Sequence, residues 1–161
     1  MQEAIIGPHP FAADGLLLIE GGVLSVMQKF RQDAPHKPEA GGILLGYRRG
    51  RHLHVALAST PSSADSRGRT HFYRKALAHQ QFAMKRWLSS GGTLDYVGEW
   101  HTHPEMQPTP SRLDLEQWQA IHSPRNSAAM VFVIVGSQHQ NWYGVGRGNI
   151  LRRAILGPET T

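Results

Sequence analysis

The order of strand-like and helix-like segments along this chain predicts an α+β fold. Three observations carry that reading. Short apolar runs such as Thr93–Trp100 and Ala128–Gly136 have the length and the β-branched and aromatic content of strands. Longer stretches with apolar residues at helical spacing lie between such runs. The 161 residues, 40% hydrophobic, suffice for one ordinary core, so a single domain is expected over 1–161.

Taken in order, a helix is predicted from about Gly22 to Gln32. Glu39-Ala-Gly-Gly-Ile-Leu-Leu-Gly46 opens a strand, and His52–Ala58 returns beside it as a hairpin across Arg48-Arg-Gly-Arg51. Gly41 and Gly42 at the strand start permit close backbone approach. Residues 59–70, rich in Ser, Pro, Gly and Arg, predict a mobile surface loop. A second helix is expected over Arg74–Leu88, with Ala76, Leu77, Phe82, Met84 and Trp87 as core contacts. The strand Thr93–Trp100 then runs straight into His101, and Pro104, Pro108 and Pro110 forbid regular structure beyond it. Leu113–Ile121 reads as an amphipathic helix, with Leu113, Trp118 and Ile121 on its apolar side. Ala128–Gly136 predicts a buried central strand, and a last hairpin runs from Asn141–Gly144 into Ile150–Ile155. Gly144–Gly148 lacks the strand-loop-helix context of a nucleotide cradle and reads as a turn.

The chemistry concentrates in residues 101–114, His-Thr-His-Pro-Glu-Met-Gln-Pro-Thr-Pro-Ser-Arg-Leu-Asp. On an extended segment His101 and His103 project from the same face, within reach of one metal ion. With Asp114 as a third ligand, nitrogen and oxygen donors would leave one tetrahedral position for water, the arrangement of a catalytic zinc site. Each component has a plainer reading. Ser111 and Asp114 also spell a helix capping box, and His-x-His by itself is a weak signal. The chain has a second such pair, His52-Leu-His54, which no Pro-bounded carboxylate follows and which reads as an exposed strand face. The conjunction sets residues 101–114 apart.

His-x-His-Pro, six residues, Ser, two residues, Asp resembles the signature of the JAMM metallopeptidases, also called the JAB or MPN-plus domain. Members pair it with an upstream glutamate at the start of a Gly-rich strand, the position of Glu39 in this chain. The resemblance implies a curved mixed β-sheet flanked by helices. It implies one Zn2+ per chain on His101, His103 and Asp114, with Glu39 as general base and Ser111 hydrogen-bonding to the oxyanion. Inactive MPN scaffolds typically lose metal ligands, whereas all five of these residues are present. The activity implied is that of a zinc-dependent isopeptidase or peptidase cutting after the C-terminal tail of a ubiquitin-like modifier or a conjugated protein. Gly98–Glu105 and the compact layout are most similar to the bacterial JAB isopeptidases of antiphage, CBASS-like conjugation operons. The partner expected on that basis is a ubiquitin-like protein or its conjugate, such as a conjugated cyclic-oligonucleotide synthase.

Composition narrows the alternatives. The chain has no cysteine, which excludes thiol proteases, Cys-ligated zinc deaminases and disulfide frameworks and is compatible with a cytoplasmic setting. Leu16–Ile19, bracketed by Asp14 and Glu20, is too short for a signal peptide, and Ala128–Gly136 is too short for a membrane span. Barrel-shaped metal hydrolases, which need about 250 residues, are excluded by length. The net charge is +5, but the basic residues are dispersed and lack the interleaved aromatics of a base-stacking surface. A nucleic-acid partner is therefore not expected. A nucleic-acid-associated JAB domain related to DNA repair and a non-catalytic zinc-binding scaffold remain as alternatives. Residues 59–70 and 122–127 are expected to select the substrate, because they flank the site in the predicted order.

Overall fold

The computed structural model describes residues 2–62, 65–68, 72–73 and 76–159. Along the chain run β1 (Ile5–Pro8), β2 (Leu16–Ile19), α1 (Gly21–Gln28), β3 (Gly41–Arg49) and β4 (His52–Ala58). Next come β5 (Ser66–Arg67), β6 (Phe72–Tyr73), α2 (Ala76–Ser89), β7 (Asp95–Thr102) and α3 (Arg112–His122). The chain ends with β8 (Met130–Val135), β9 (Asn141–Arg147), β10 (Ile150–Arg153) and β11 (Gly157–Pro158). Among the described residues, nine strands form one sheet in the order β10-β9-β8-β7-β3-β4-β2-β1-β11, and β5 pairs with β6 apart from it. The sheet is mixed: β2/β4 and β7/β8 are parallel, the other pairs antiparallel. It also curls, since Arg152 of β10 donates to the carbonyl of Pro10 beyond β1 at 2.8 Å although the two strands lie far apart in strand order.

Strand β8 explains why the curl is stable. All six residues of Met130-Val-Phe-Val-Ile-Val are buried, because both faces of the strand are covered. Val131, Val133 and Val135 join a core with Leu17, Ile19, Leu24 and Met27 under α1. Met130, Phe132 and Ile134 join Trp118 and Trp142 under α3. Trp118 stacks on Phe132 and Trp142 at 4.8 and 5.5 Å between ring centroids, so the apolar side of α3 is seated by aromatic contact as well as by area.

Several expectations change. Leu16–Ile19 is a strand, paired to β1 and parallel to β4; β1, β2 and β11 had no alternating pattern long enough to announce them. Helix α1 stops at Gln28, and Gln32 is instead a buried link to Thr102. In α2, Phe82 packs beside Ile43, Leu45 and Leu94, while Met84 and Trp87 are exposed. Arg74, and the side chains of Ala76 and Leu77, lie outside the described residues. Leu113 of α3 is exposed, Ile121 half-buried and Trp118 buried. Gly144 and Gly146 belong to β9 and not to a turn. A Cβ on either would stand 2.3 Å from the ring of Trp142 or His122, so they are in-strand glycines that make room for rings. The turn proper holds Gly148, at φ 57°.

Residues 59–70 are only in part the loop expected, and 63, 64, 69 and 70 lie outside the described residues. Ser59 is buried and Asp65 is pinned to His79, while Ser66–Arg67 pairs with Phe72–Tyr73. Among the described residues no helix is long and apolar enough to cross a membrane.

Candidate metal centre

The register between β3 and β7 brings the two distant motifs together. Gly41 faces His101 across the antiparallel ladder. One step further, Thr102 N–H donates to Ala40 O at 2.9 Å and Ala40 N–H donates to Thr102 Oγ1 at 3.0 Å. Thr102 Oγ1 in turn donates to Gln32 Oε1 at 2.9 Å. These bonds hold Glu39, just before β3, against the end of β7, and Glu39 N–H donates to Gly68 O on its other side. Gly42 is needed for this approach, because a Cβ there would lie 2.4 Å from the carbonyl oxygen of Ser59.

His101 and His103 share one face of β7 and its extension, as their spacing predicts. Their Nε2 atoms are 3.0 Å apart. Asp114, from the first turn of α3, places Oδ1 3.2 Å from His101 Nε2 and Oδ2 3.1 Å from His103 Nε2. Ligand atoms of Glu39, His101 and His103 all lie within 4.8 Å of one another. Glu39, His101, His103 and Asp114 are each at most 9% exposed.

This donor set fits a small divalent cation. Zinc bound by nitrogen and oxygen at about 2.0 to 2.1 Å in a tetrahedron has ligands about 3.3 Å apart. The three contacts among His101, His103 and Asp114, 3.0 to 3.2 Å, are near that edge length. Two imidazole Nε2 atoms aimed at each other also need at least one lone pair in the shared space, and a cation satisfies both.

The electrostatics follow from burial and proximity. Burial alone would push the Asp114 carboxyl up, but hydrogen bonds from His101, His103 and the Ser111 backbone hold it far below the usual carboxylate range. Burial alone would lower the His103 imidazole, yet its bonds to Asp114 and then Glu105 raise it above its ordinary value. For Glu39 burial dominates and raises the carboxyl, with His101 and His103 pulling weakly the other way. A raised carboxyl beside a cation site is suited to moving a proton.

Ser111 shows that the two readings of Ser-x-x-Asp are compatible. It is the N-cap of α3, and its Oγ accepts from Asp114 N–H at 3.1 Å while its own N–H donates to Asp114 Oδ2 at 2.8 Å. The capping box is real, and it aims the Asp114 carboxylate at the histidines. The structure thus brings Glu39, His101, His103 and Asp114 together and ties Ser111 to Asp114. Sequence reasoning did not pick out Glu105, whose Oε1 lies 2.8 Å from His103 Nδ1, although its position two residues after a candidate ligand was a signal.

Other polar groupings serve elsewhere. His52 Nδ1 accepts from Leu16 N–H and His54 Nε2 contacts Glu20 Oε1 at 2.8 Å, so that pair is divided between two structural bonds. His52 is exposed as expected and His54 is half-buried. Ser59 Oγ, His79 and Asp65 line up at 2.8 and 3.0 Å in the order of a nucleophile relay. Ser59 Oγ also accepts from Ile43 N–H at 2.8 Å, and the three side chains are buried, so the cluster clamps the segment after β4 onto α2. Residues 122–127 do not flank the site. They begin at the last residue of α3, about 12 Å along the helix from Asp114. There His122 Nδ1 binds Gly148 O at 2.7 Å.

A curled mixed sheet delivers two histidines and a helix-capping aspartate to one point beside a buried glutamate, an arrangement that could hold a metal ion next to a group suited to moving a proton. The profile of the prokaryotic homologs of the JAB domain matches residues 23–145, and the chain belongs to that family. It is 38% identical over 132 residues to the CD-NTase/cGAS isopeptidase of Vibrio cholerae, a match that covers 82% of this chain and 83% of the relative. It is 29% identical over 139 residues to a probable metalloprotease, y4qB, of Sinorhizobium fredii, covering 82% of this chain and 85% of the relative. Among solved structures, the solution structure of protein DSY2949 from Desulfitobacterium hafniense shares the fold, with a TM-score of 0.61 at 20% identity, over 84% of this chain and 87% of that one. The names of the relatives support a hydrolase of the peptidase and isopeptidase class.

Proposed function

We propose that the chain is a JAMM-type zinc isopeptidase that removes a CD-NTase from its conjugate, or processes a ubiquitin-like modifier, in a bacterial antiphage system. On this reading residues 1–161 act as one cytoplasmic peptidase domain with one zinc ion. The observation that carries the proposal is the convergence of His101 Nε2, His103 Nε2 and Asp114 at 3.0 to 3.2 Å beside the buried Glu39. The names of relatives at 34 to 38% identity, CD-NTase/cGAS isopeptidase, support a CD-NTase conjugate as the substrate class.

His101, His103 and Asp114 would hold the metal. Zinc, when bound, supplies Lewis acidity that makes water acidic enough to give hydroxide near neutral pH. Glu39 accepts the water proton on its carboxylate and returns it to the leaving amine nitrogen. Ser111 Oγ already accepts from Asp114 N–H, which leaves its O–H to donate to the oxyanion formed at the scissile carbonyl. The segment 59–70, expected to select the substrate, touches the site where Glu39 N–H donates to Gly68 O, and this contact supports a role for that segment in meeting the substrate tail.

The test joins metal content to cleavage. Wild-type protein purified without chelator should carry about one zinc per chain, lost in His101→Ala and Asp114→Ala. The loaded enzyme should release a CD-NTase from a conjugate or a fusion bearing its C-terminal tail. Zinc-loaded protein that leaves both CD-NTase conjugates and ubiquitin-like fusions intact would sink the proposal.

A further inference from the structure

We infer that Glu105 is a positioning residue that fixes the tautomer and ring orientation of His103 toward the metal. This rests on the proposed metal centre and extends it outward by one layer. A neutral imidazole carries one N–H and one lone pair, and whichever nitrogen keeps the proton is set by the partner it finds. His103 meets Glu105 Oε1 with Nδ1 at 2.8 Å and meets His101 and Asp114 with Nε2. A carboxylate only accepts, so Glu105 keeps a proton on Nδ1, and Nε2, which otherwise donates to Asp114, is the nitrogen left to give its lone pair to a metal. Glu39 and Asp114, by contrast, lie on the metal side of the imidazoles, so Glu105 is the carboxylate placed to act through His103 and not as a ligand.

The Glu105 side chain is half exposed, but its backbone is not loose. Ser137 N–H donates to Glu105 O at 2.8 Å, and His103 N–H donates to Val135 O at 3.0 Å. The segment from His103 to Glu105 is therefore riveted at both ends to the end of β8, with Pro104 stiffening it between. A Cβ on Gly136 would lie 3.1 Å from Glu105 O, which marks how closely the two backbones meet. The aim of the carboxylate at Nδ1 is thus a product of main-chain anchoring at the metal strand and its neighbour. A partner of this kind also raises ligand basicity, and its loss in metal sites typically costs 10- to 100-fold in affinity.

The experiment is zinc affinity by chelator competition at fixed pH, for wild type, Glu105→Ala and Glu105→Gln, with metal-free thermal melts as folding controls. Glu105→Ala should bind zinc about 10- to 100-fold more weakly while melting as wild type does without metal. Glu105→Gln keeps an acceptor oxygen for Nδ1–H and should recover most of that loss. In metal-free protein, at a pH high enough for His103 to be neutral, nitrogen NMR should show the Nδ1–H tautomer favoured in wild type and mixed tautomers in Glu105→Ala. Tight wild-type binding that is unchanged in Glu105→Ala, or a Gln variant as weak as Ala, overturns this inference alone. Wild-type protein with no zinc affinity overturns the metal centre and this inference with it.

Discussion

Replacing Ser111 separates the helix cap that its hydroxyl forms from the oxyanion role proposed for the same group. As N-cap of α3 its Oγ accepts from Asp114 N–H at 3.1 Å, and truncation of such a cap to Ala costs about 1 kcal/mol, whereas Gly costs a few tenths. For a domain of this length 1 kcal/mol is about 2 to 4 °C in Tm. As oxyanion donor the same group is worth a rate factor of about 100 to 1,000. Ser111→Ala should therefore lower Tm by about 2 to 4 °C and cleavage by about 100- to 1,000-fold, while Ser111→Gly should lower cleavage equally with Tm nearly unchanged. Urea or thermal melts on zinc-loaded protein, with initial rates on a tail fusion, measure both. If cleavage tracked stability, so that Ser111→Gly stayed active, the hydroxyl would be a cap and nothing more.

Three further outcomes follow from the same geometry. Glu39→Gln should keep zinc binding and lower cleavage by about 100- to 10,000-fold, read by metal analysis beside kinetics; loss of zinc would make Glu39 a ligand instead. In metal-free protein the His103–Asp114 pair should contribute most stability between the unfolded values near 3.8 and 6.5. The raised imidazole loses its contribution as pH climbs through its folded pKa, and the depressed carboxyl loses its own only as pH falls below the lower bound. Added zinc, which takes deprotonated ligands, should restore stability on the alkaline side; a metal-free stability that rises from pH 6.5 to 8 contradicts this. Trp118→Ala removes a ring stacked on Phe132 and Trp142 and 5.8 Å from His101, and should cost about 3 to 5 kcal/mol by chemical denaturation. A cost under about 1 kcal/mol would mean that α3 is not held by that stack.

Local pattern carried much of this into view. Apolar runs of strand length marked β3, β4, β7 and β8, and the proline-bounded gap before a helical repeat marked the approach to α3. Leu16–Ile19 escaped because four apolar residues have no period to read; their strand character comes from pairing with β1 and β4. Met84 and Trp87 misled in the other direction, since α2 packs on the sheet through Phe82 and leaves them outside. Gly144 and Gly146 looked like turn residues because nothing local says that the rings of Trp142 and His122 lie over them.

The identities of the five site residues, and the same-face placement of His101 and His103, belong to the sequence by itself, because a period of two along an extended chain is a local property. Their assembly belongs to the tertiary structure alone. The β3–β7 register sets Glu39 beside His101, the stacking of Trp118 under α3 brings Asp114 within 3.2 Å of both imidazoles, and the bond from Ser137 anchors the backbone of Glu105, whose carboxylate meets His103. Those distances depend on contacts between residues far apart in the chain, which no local spacing encodes.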